Sequence, residues 1–368
     1  MQKDEEGFYY PAANGERCIG CGKCERICPV LNKIDPDAAV RKVYICQNKS
    51  LVIRRDSTSG GVFSALAQYV IDRGGIVFGA ELGERFCVMH GSGEDTDSLS
   101  RFRGSKYVQS LMGDTFRSVQ EELKKDRWVL FSGTPCQVAG LNAFLGRKYD
   151  RLVLMDIVCY SISSPGIWEQ YLQYLGRIIP LDQAVKVKFR DKSKFGYEYT
   201  LMTFYDKDGK VLYSAGPETN SMLRSFVSNT STRPSCYQCA FKTADRVSDF
   251  TAWDCYNVYR YDRKLDDNQG TSHLMIHSQK AMEMLEEIGR YLYLQEVDAS
   301  QAISSEPAIT ECARPGDMRK GFFAAYQFGE NVFDIYFQET AKVKAERFLR
   351  HSLSKMGVYK HIKRLIKG

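Results

Sequence analysis

Cys18, Cys21, Cys24 and Cys28 stand in the spacing C-x2-C-x2-C-x3-C, and Pro29 follows at once. Thiolates are soft ligands, and four at these intervals wrap an iron–sulfur cube as in bacterial ferredoxins. Gly20 and Gly22 supply the backbone freedom that such a tight loop needs, and Pro29 keeps it from continuing as regular structure. A zinc knuckle or a set of disulfides is the alternative. Zinc favours paired C-x2-C units set further apart, and no secretory signal opens the sequence, so a [4Fe–4S] cluster is expected. In two-cluster ferredoxins the fourth cysteine serves the other cluster, and the run has no second copy here. Either Cys28 closes its own cube, or Cys46 or Cys255 takes that place.

Four further cysteines come together once the elements around them are considered. Trp128–Phe131 and Arg151–Val158 are apolar strands. The first runs through Ser132-Gly133-Thr134-Pro135-Cys136-Gln137 into a helix. The second ends at Cys159, and Ser164-Pro165 starts the next helix. Strand–helix–strand–helix implies parallel strands, so Cys136 and Cys159 share the carboxyl edge, where open α/β sheets bind ligands. Arg233-Pro-Ser-Cys236-Tyr-Gln-Cys239 adds a C-x2-C pair, which is a redox pair, half a zinc site or two more cluster ligands. With Cys136 and Cys159, the last option makes a second set of four.

Two glycine-bearing segments allow cofactor binding. Ser59-Gly60-Gly61 opens an amphipathic helix, either as an anion site for a nucleotide phosphate or as plain helix entry with close packing. Gly104-Ser105-Lys106-Tyr107 is a polar loop that suits a flavin, with a cation near the ring and a tyrosine over its face, or is simply exposed. His273 and His277, with no acidic partner, are expected to be structural or surface residues. Between these segments, Val43–Cys46 reads as a strand with Cys46 buried, 114–125 as a helix, 185–216 as hairpins, 280–294 as helical and 334–350 as helical.

The chain has 368 residues, 43% hydrophobic and 26% charged, room for two domains or one large domain with additions. It contains no apolar run long enough to span a membrane. Its twelve cysteines without a secretory signal favour metal ligation in a reducing, cytoplasmic setting. Nine basic residues and one acidic lie in 341–368, leaving 42 basic against 44 acidic elsewhere. The near-neutral body excludes a nucleic-acid-binding face. The end carries Val358, Ile362, Leu365 and Ile366 on one side of a helix and Lys360, Lys363, Arg364 and Lys367 on the other, a pattern for peripheral membrane contact, a partner or a solvated helix.

Ser59-Gly-Gly-Val-Phe, Gly104-Ser-Lys-Tyr-Val, Gly133-Thr-Pro-Cys-Gln, the strand-end Cys159, Arg233-Pro-Ser-Cys-Tyr-Gln-Cys239 and Ser248-Asp249 occur in one order. That order resembles the coenzyme F420 hydrogenase/dehydrogenase beta-subunit family, in the bacterial branch with an N-terminal 4Fe–4S ferredoxin-type segment. The resemblance covers about residues 15–295. It implies FAD and [4Fe–4S] clusters, with Cys136, Cys159, Cys236 and Cys239 on one cluster and Cys18, Cys21, Cys24 and Cys28 on another. It carries over Ser59, Gly60, Gly61, Gly104, Ser105, Lys106 and Tyr107 as FAD-site residues. One departure stands out: where relatives have Thr-Ile-Gly-Asp-Phe-Trp-Gly, this chain has Phe250-Thr-Ala-Trp253-Asp254-Cys255-Tyr256. In relatives that segment lies by the substrate or flavin, so an indole there is expected to narrow the pocket and to count against deazaflavin binding.

The expected fold is α/β with α+β additions: a ferredoxin-type segment over 1–42, a mixed-sheet FAD/4Fe–4S domain over 43–300 and a helical basic tail over 301–368. The expected function is an iron–sulfur flavoprotein oxidoreductase. Electrons pass between a ferredoxin-like partner, two [4Fe–4S] clusters, FAD and a small-molecule or polysaccharide-precursor substrate, in either direction. Lys106, Tyr107 and Asp254 are the candidates for proton donation. The rival is a non-catalytic electron-transfer subunit docked to a partner enzyme.

Overall fold

A computed structural model describes residues 1–33, 41–359, 362 and 365. The linker Asp35–Ala39 and the terminal Lys360, Lys363, Arg364, Ile366 and Lys367 lie outside the described residues.

Eight strands form the main sheet: β1 (Lys42–Asn48), β2 (Ile76–Leu82), β3 (Val88–Gly93), β4 (Val129–Gly133), β5 (Leu152–Ile157), β6 (Phe250–Asp254), β7 (Ser272–Ile276) and β8 (Leu292–Val297). Their order is β8-β1-β7-β6-β5-β4-β2-β3. The centre, β2-β4-β5-β6, is parallel, and the flanks are antiparallel. Val129 pairs with Leu152 and Gly133 with Asp156, so β4 and β5 end together, as their sequence pattern requires. Continuous apolar runs such as Val129-Leu-Phe fit strands covered on both faces. The helices Val62–Ile71 and Gln279–Ile288 cover one face around Leu66, Val70 and Ile288, while Thr115–Lys124 and Pro135–Leu145 cover the other around Val119, Val138 and Leu141.

A three-stranded antiparallel sheet, Ala184–Asp191, Leu201–Asp206 and Val211–Ala215, matches the expected hairpins. It packs on the helix Pro165–Gly176 through Trp168, Phe189 and Phe204. Ser164 caps that helix, accepting from the amides of Gly166 and Ile167, with Pro165 at its first position.

Three expectations change. The helix expected over 280–294 stops at Ile288, and Leu292–Val297 pairs with β1 as an edge strand; alternating Tyr-Leu-Tyr-Leu suits a sheet edge better than a helix face. The helix expected over 334–350 is Ala341–Lys355, capped by Thr340. The tail expected from residue 301 divides: Phe322, Phe323, Phe333 and Phe337 are buried in the core around Trp168, whereas no described residue of Ala341–Lys355 is buried. The first ten residues belong to that core as well. Phe8 is fully buried against Phe323, a burial worth about 2 kcal/mol, and Arg319 pairs with Glu6. No described helix is long and apolar enough to cross a membrane.

Candidate cluster sites and cofactor cavity

The N-terminal cysteines sit on a loop built by its glycines. Gly20 and Gly22 have φ of 66° and 65°, and Gly22 starts a single helical turn, Lys23–Arg26, that carries Cys24. Arg26 donates to the Cys21 carbonyl at 2.7 Å, and the Cys28 amide bonds Glu25. Cys18, Cys21 and Cys24 are exposed and Cys28 is half-buried. Cys46 and Cys255, the other candidates for the fourth place, are fully buried in the body. Burial raises both thiols, as for core residues.

The second four are gathered from three elements. Cys136 lies in the first turn of Pro135–Leu145, which Thr134 and Gln137 close with a capping box. Cys159 follows β5, Cys236 lies in the turn Pro234–Gln238, and Cys239 caps it. Lys242 ties the set together, donating to the carbonyls of Cys159 at 2.6 Å and Ala308 at 2.7 Å. Burial, with the thiols of Cys136 and Cys236 next in effect, pushes Cys159 far up, while Lys242 pulls it back. Cys236 is pushed to about 12 by burial and then by Cys136 and Cys239. Cys159, Cys236 and Cys239 thus each feel the charge of Cys136. Among the described residues, however, no three His, Cys, Asp or Glu groups converge as ligands of a single ion. Four thiolates are the soft donors that a [4Fe–4S] cube takes, one at each of four irons rather than all at one ion. The sequence reading passed over Cys312, whose Sγ approaches the Cys239 carbonyl at 3.8 Å.

A separate cavity of about 1280 Å³ has none of these four cysteines in its wall and is larger than the roughly 300–1,000 Å³ of a drug-sized ligand. Seven basic side chains line it, among them Arg103, Lys106, Lys188 and Arg190, against four carboxylates. That balance suits an anionic, dinucleotide-sized cofactor. Gly104, Ser105 and Lys106 are in its wall. The ammonium of Lys106 donates to the carbonyls of Ala80, Arg101, Phe102 and Arg103 at 2.7–3.3 Å, and burial lowers its pKa to about 7 against the pull of Glu81 and Asp56. Its protons hold the loop onto β2.

Ser59, Gly60, Gly61 and Tyr107 do not line the cavity. Ser59 Oγ donates to the Thr271 carbonyl at 2.6 Å, and Gly60 N donates to Ser272 Oγ at 2.9 Å. A side chain at Gly60 would meet Cys46 O at 2.5 Å. Close packing, the plainer of the two readings, accounts for these glycines. The segment still reaches the cavity loop, because Ser105 N donates to Thr58 Oγ1 at 2.7 Å. Tyr107 stacks on Phe226 at 4.4 Å, and burial raises its phenol.

Asp254 receives Arg190 at 2.6 Å and Tyr197 OH at 2.7 Å. Burial pushes its carboxyl up, but Arg190 and these hydrogen bonds outweigh that and hold it below the usual range. Asp254 thereby orients Arg190 at the cavity wall. Trp253 packs behind the sheet with Val43, Met275 and Ile309 and stacks on His273 at 4.8 Å, so it does not narrow this cavity. Asp249 accepts from the Leu154 amide at 2.8 Å and pairs with Lys280, so it pins β6 to β5. His273 and His277 are both buried.

Short main-chain bridges run from the cavity wall to the segments that carry the cysteines. Val108 bridges Ser163, and Ser163 bridges Thr232. Arg233, three residues before Cys236, covers the Tyr10 ring at 4.1 Å and donates to Tyr9 O, while the Tyr9 amide donates to Gln109 Oε1 at 2.8 Å. Arg190 and Lys242 were not legible as site residues. Lys242, three residues past Cys239, carried the better signal.

Residues 126–301 match the family described as the C terminus of the coenzyme F420 hydrogenase/dehydrogenase beta subunit, and residues 12–31 match a 4Fe–4S binding domain that contains Cys18–Cys28. The F subunit of the F(420)H(2) dehydrogenase of Methanosarcina mazei is 28% identical over 212 residues, 55% of this chain and 56% of that protein. The chain thus matches little more than half the length of this curated relative. A chain in the F420-reducing [NiFe] hydrogenase complex of Methanosarcina barkeri has the same fold, with a TM-score of 0.50 and 14% identity over 82% of this chain and 94% of that one. Just under half of the chain thus matches the C-terminal region of the coenzyme F420 hydrogenase/dehydrogenase beta subunit, and a match to a 4Fe–4S binding domain precedes it.

Proposed function

We propose that this chain is an iron–sulfur flavoprotein oxidoreductase with two [4Fe–4S] clusters, at Cys18/Cys21/Cys24/Cys28 and at Cys136/Cys159/Cys236/Cys239, and FAD in the basic cavity. The observation that supports the reading is the pair of main-chain bridges Val108–Ser163 and Ser163–Thr232: Val108 lines the cavity, and Ser163 and Thr232 lie four residues after Cys159 and four before Cys236. A bound flavin supplies conversion between one-electron and two-electron chemistry. Arg103, Lys188 and Arg190 balance an anionic cofactor, and the main chain of Gly104–Lys106 fixes its edge. The redox partner is a ferredoxin-like protein, met at the exposed N-terminal loop. The substrate is a small molecule, for which surface-polysaccharide precursors are one candidate class. The basic C-terminal residues 341–368 are a candidate for peripheral membrane contact.

The relay reading, an electron carrier without its own substrate site, draws support from Ile19, Val30 and Leu31, which are 58–87% exposed around the N-terminal cysteines, as a protein-docking surface would be. Anaerobic purification followed by flavin extraction tests the proposal. About one FAD per chain is expected. Cluster-loaded protein without flavin contradicts the enzyme reading, and flavin that is reduced only in the presence of a partner protein selects the relay.

A further inference from the structure

A chain of side-chain hydrogen bonds leads from the cavity wall to Cys136. His90 Nε2 meets the Ser132 carbonyl at 3.1 Å, and its Nδ1 meets Ser110 Oγ at 2.9 Å. Gln137 Nε2 donates to the same Ser110 oxygen at 2.8 Å. Gln137 Oε1 accepts from Thr134 N at 2.9 Å and lies 3.1 Å from Thr134 Oγ1. Thr134 Oγ1 lies 3.1 Å from Cys136 Sγ. Ser110 sits between Gln109 and Leu111, both in the cavity wall.

The direction of each bond is fixed by chemistry. A carbonyl only accepts, so in the neutral ring His90 Nε2 carries the proton and Nδ1 is bare. Ser110 donates to Nδ1 and accepts from Gln137, which turns the amide oxygen of Gln137 toward Thr134. That oxygen already accepts from the Thr134 amide and keeps a second lone pair. The single hydroxyl proton of Thr134 is left with two possible acceptors, Gln137 Oε1 and Cys136 Sγ. A thiolate ligating iron has no proton to give and is the charged acceptor, and charge-assisted bonds are the stronger ones.

Resting on the ligand set proposed above, we infer that Thr134 donates a hydrogen bond to the Cys136 thiolate and sets the reduction potential of that cluster. Hydrogen bonds to cluster sulfurs tune potential. They stabilise the more negative, reduced state, so this one raises it. Gln137, Ser110 and His90 are positioning residues that orient the donor.

The test is a potentiometric titration of the anaerobic full-length protein, followed by EPR. Thr134→Val should shift the second cluster to a more negative potential and leave the N-terminal cluster unmoved. Thr134→Ser should keep the wild-type value. If Thr134→Val does not fold, Thr134→Gly replaces it, since glycine is tolerated at helix N-caps and also lacks the hydroxyl. A hydroxyl-free variant with full iron and the wild-type potential overturns the inference, as does an equal shift in Thr134→Ser. Cys136→Ala separates the two levels: if both cluster signals survive in it, the ligand set fails, whereas loss of one signal together with an unmoved Thr134→Val potential sinks only the role of Thr134.

Discussion

Arg190 and Asp254 meet at 2.6 Å where the three-stranded sheet faces the cavity. Tyr256 accepts a second bond from Arg190, and Tyr197 donates to the carboxylate. Replacing Arg190 by Met leaves a carboxylate without its cation. Breaking a buried pair costs about 3–5 kcal/mol, and Asp254 keeps 23% of its side-chain surface exposed, so the low end, about 3 kcal/mol, is expected in urea denaturation. The folded pKa of Asp254 is depressed, so its stabilising contribution is complete above the unfolded carboxyl value and fades as pH falls through the folded one. Asp254→Asn should abolish that acid-side loss. A pH–stability curve identical to wild type would show that the pair does not hold the site.

Acid stability separates two opposing groups. His90, His273 and His277 are buried and neutral, with burial lowering them to about 4, 4 and 3. Each loses stability as pH falls from the unfolded value of about 6.5. Asp156 is pushed up to about 6 by burial, against Arg246 and the hydroxyls of Thr251 and Ser248. Its folded form binds the proton more tightly, so its contribution grows as pH falls from 6 toward the unfolded carboxyl value. Three groups against one decide the sign, and the protein should weaken steadily between pH 6 and 4. Asp156→Asn removes the opposing slope and should make the decline steeper by about 1.4 kcal/mol per pH unit at most. A shallower decline in that variant would contradict the assignment.

Gly60 tests packing against anion binding at the Ser-Gly-Gly helix entry. A Cβ there would lie 2.5 Å from Cys46 O and 2.7 Å from Ser272 N, both main-chain atoms that cannot step aside. Overpacking of this kind costs about 1–3 kcal/mol. Gly60→Ala should therefore lower the midpoint of unfolding, with the protein that remains folded keeping its flavin content. Wild-type stability with flavin lost would restore the phosphate-site reading.

What could be read from the residues follows from how local each signal is. The Cys18–Cys28 run and the parallel β4–β5 unit are written in contiguous residues, so both were legible, and so was the gathering of Cys136 and Cys159 at one sheet edge. The Ser-Gly-Gly segment left two readings open, because an open anion nest and a glycine packed on a strand look alike until β1 and β7 are placed beside it. Arg190 sits in an alternating strand like any exposed cation, and only the tertiary fold sets it against Asp254. The burial of Phe322 and Phe333 depends on the N-terminal Phe8, more than 300 residues away in sequence.

Iron and acid-labile sulfide, counted in anaerobically purified wild type and in Cys159→Ala, test the two-cluster reading most directly. About eight irons in wild type and about four in the variant, with the N-terminal cluster's EPR signal retained, is the predicted result for two [4Fe–4S] sites. About four irons in both proteins would contradict it.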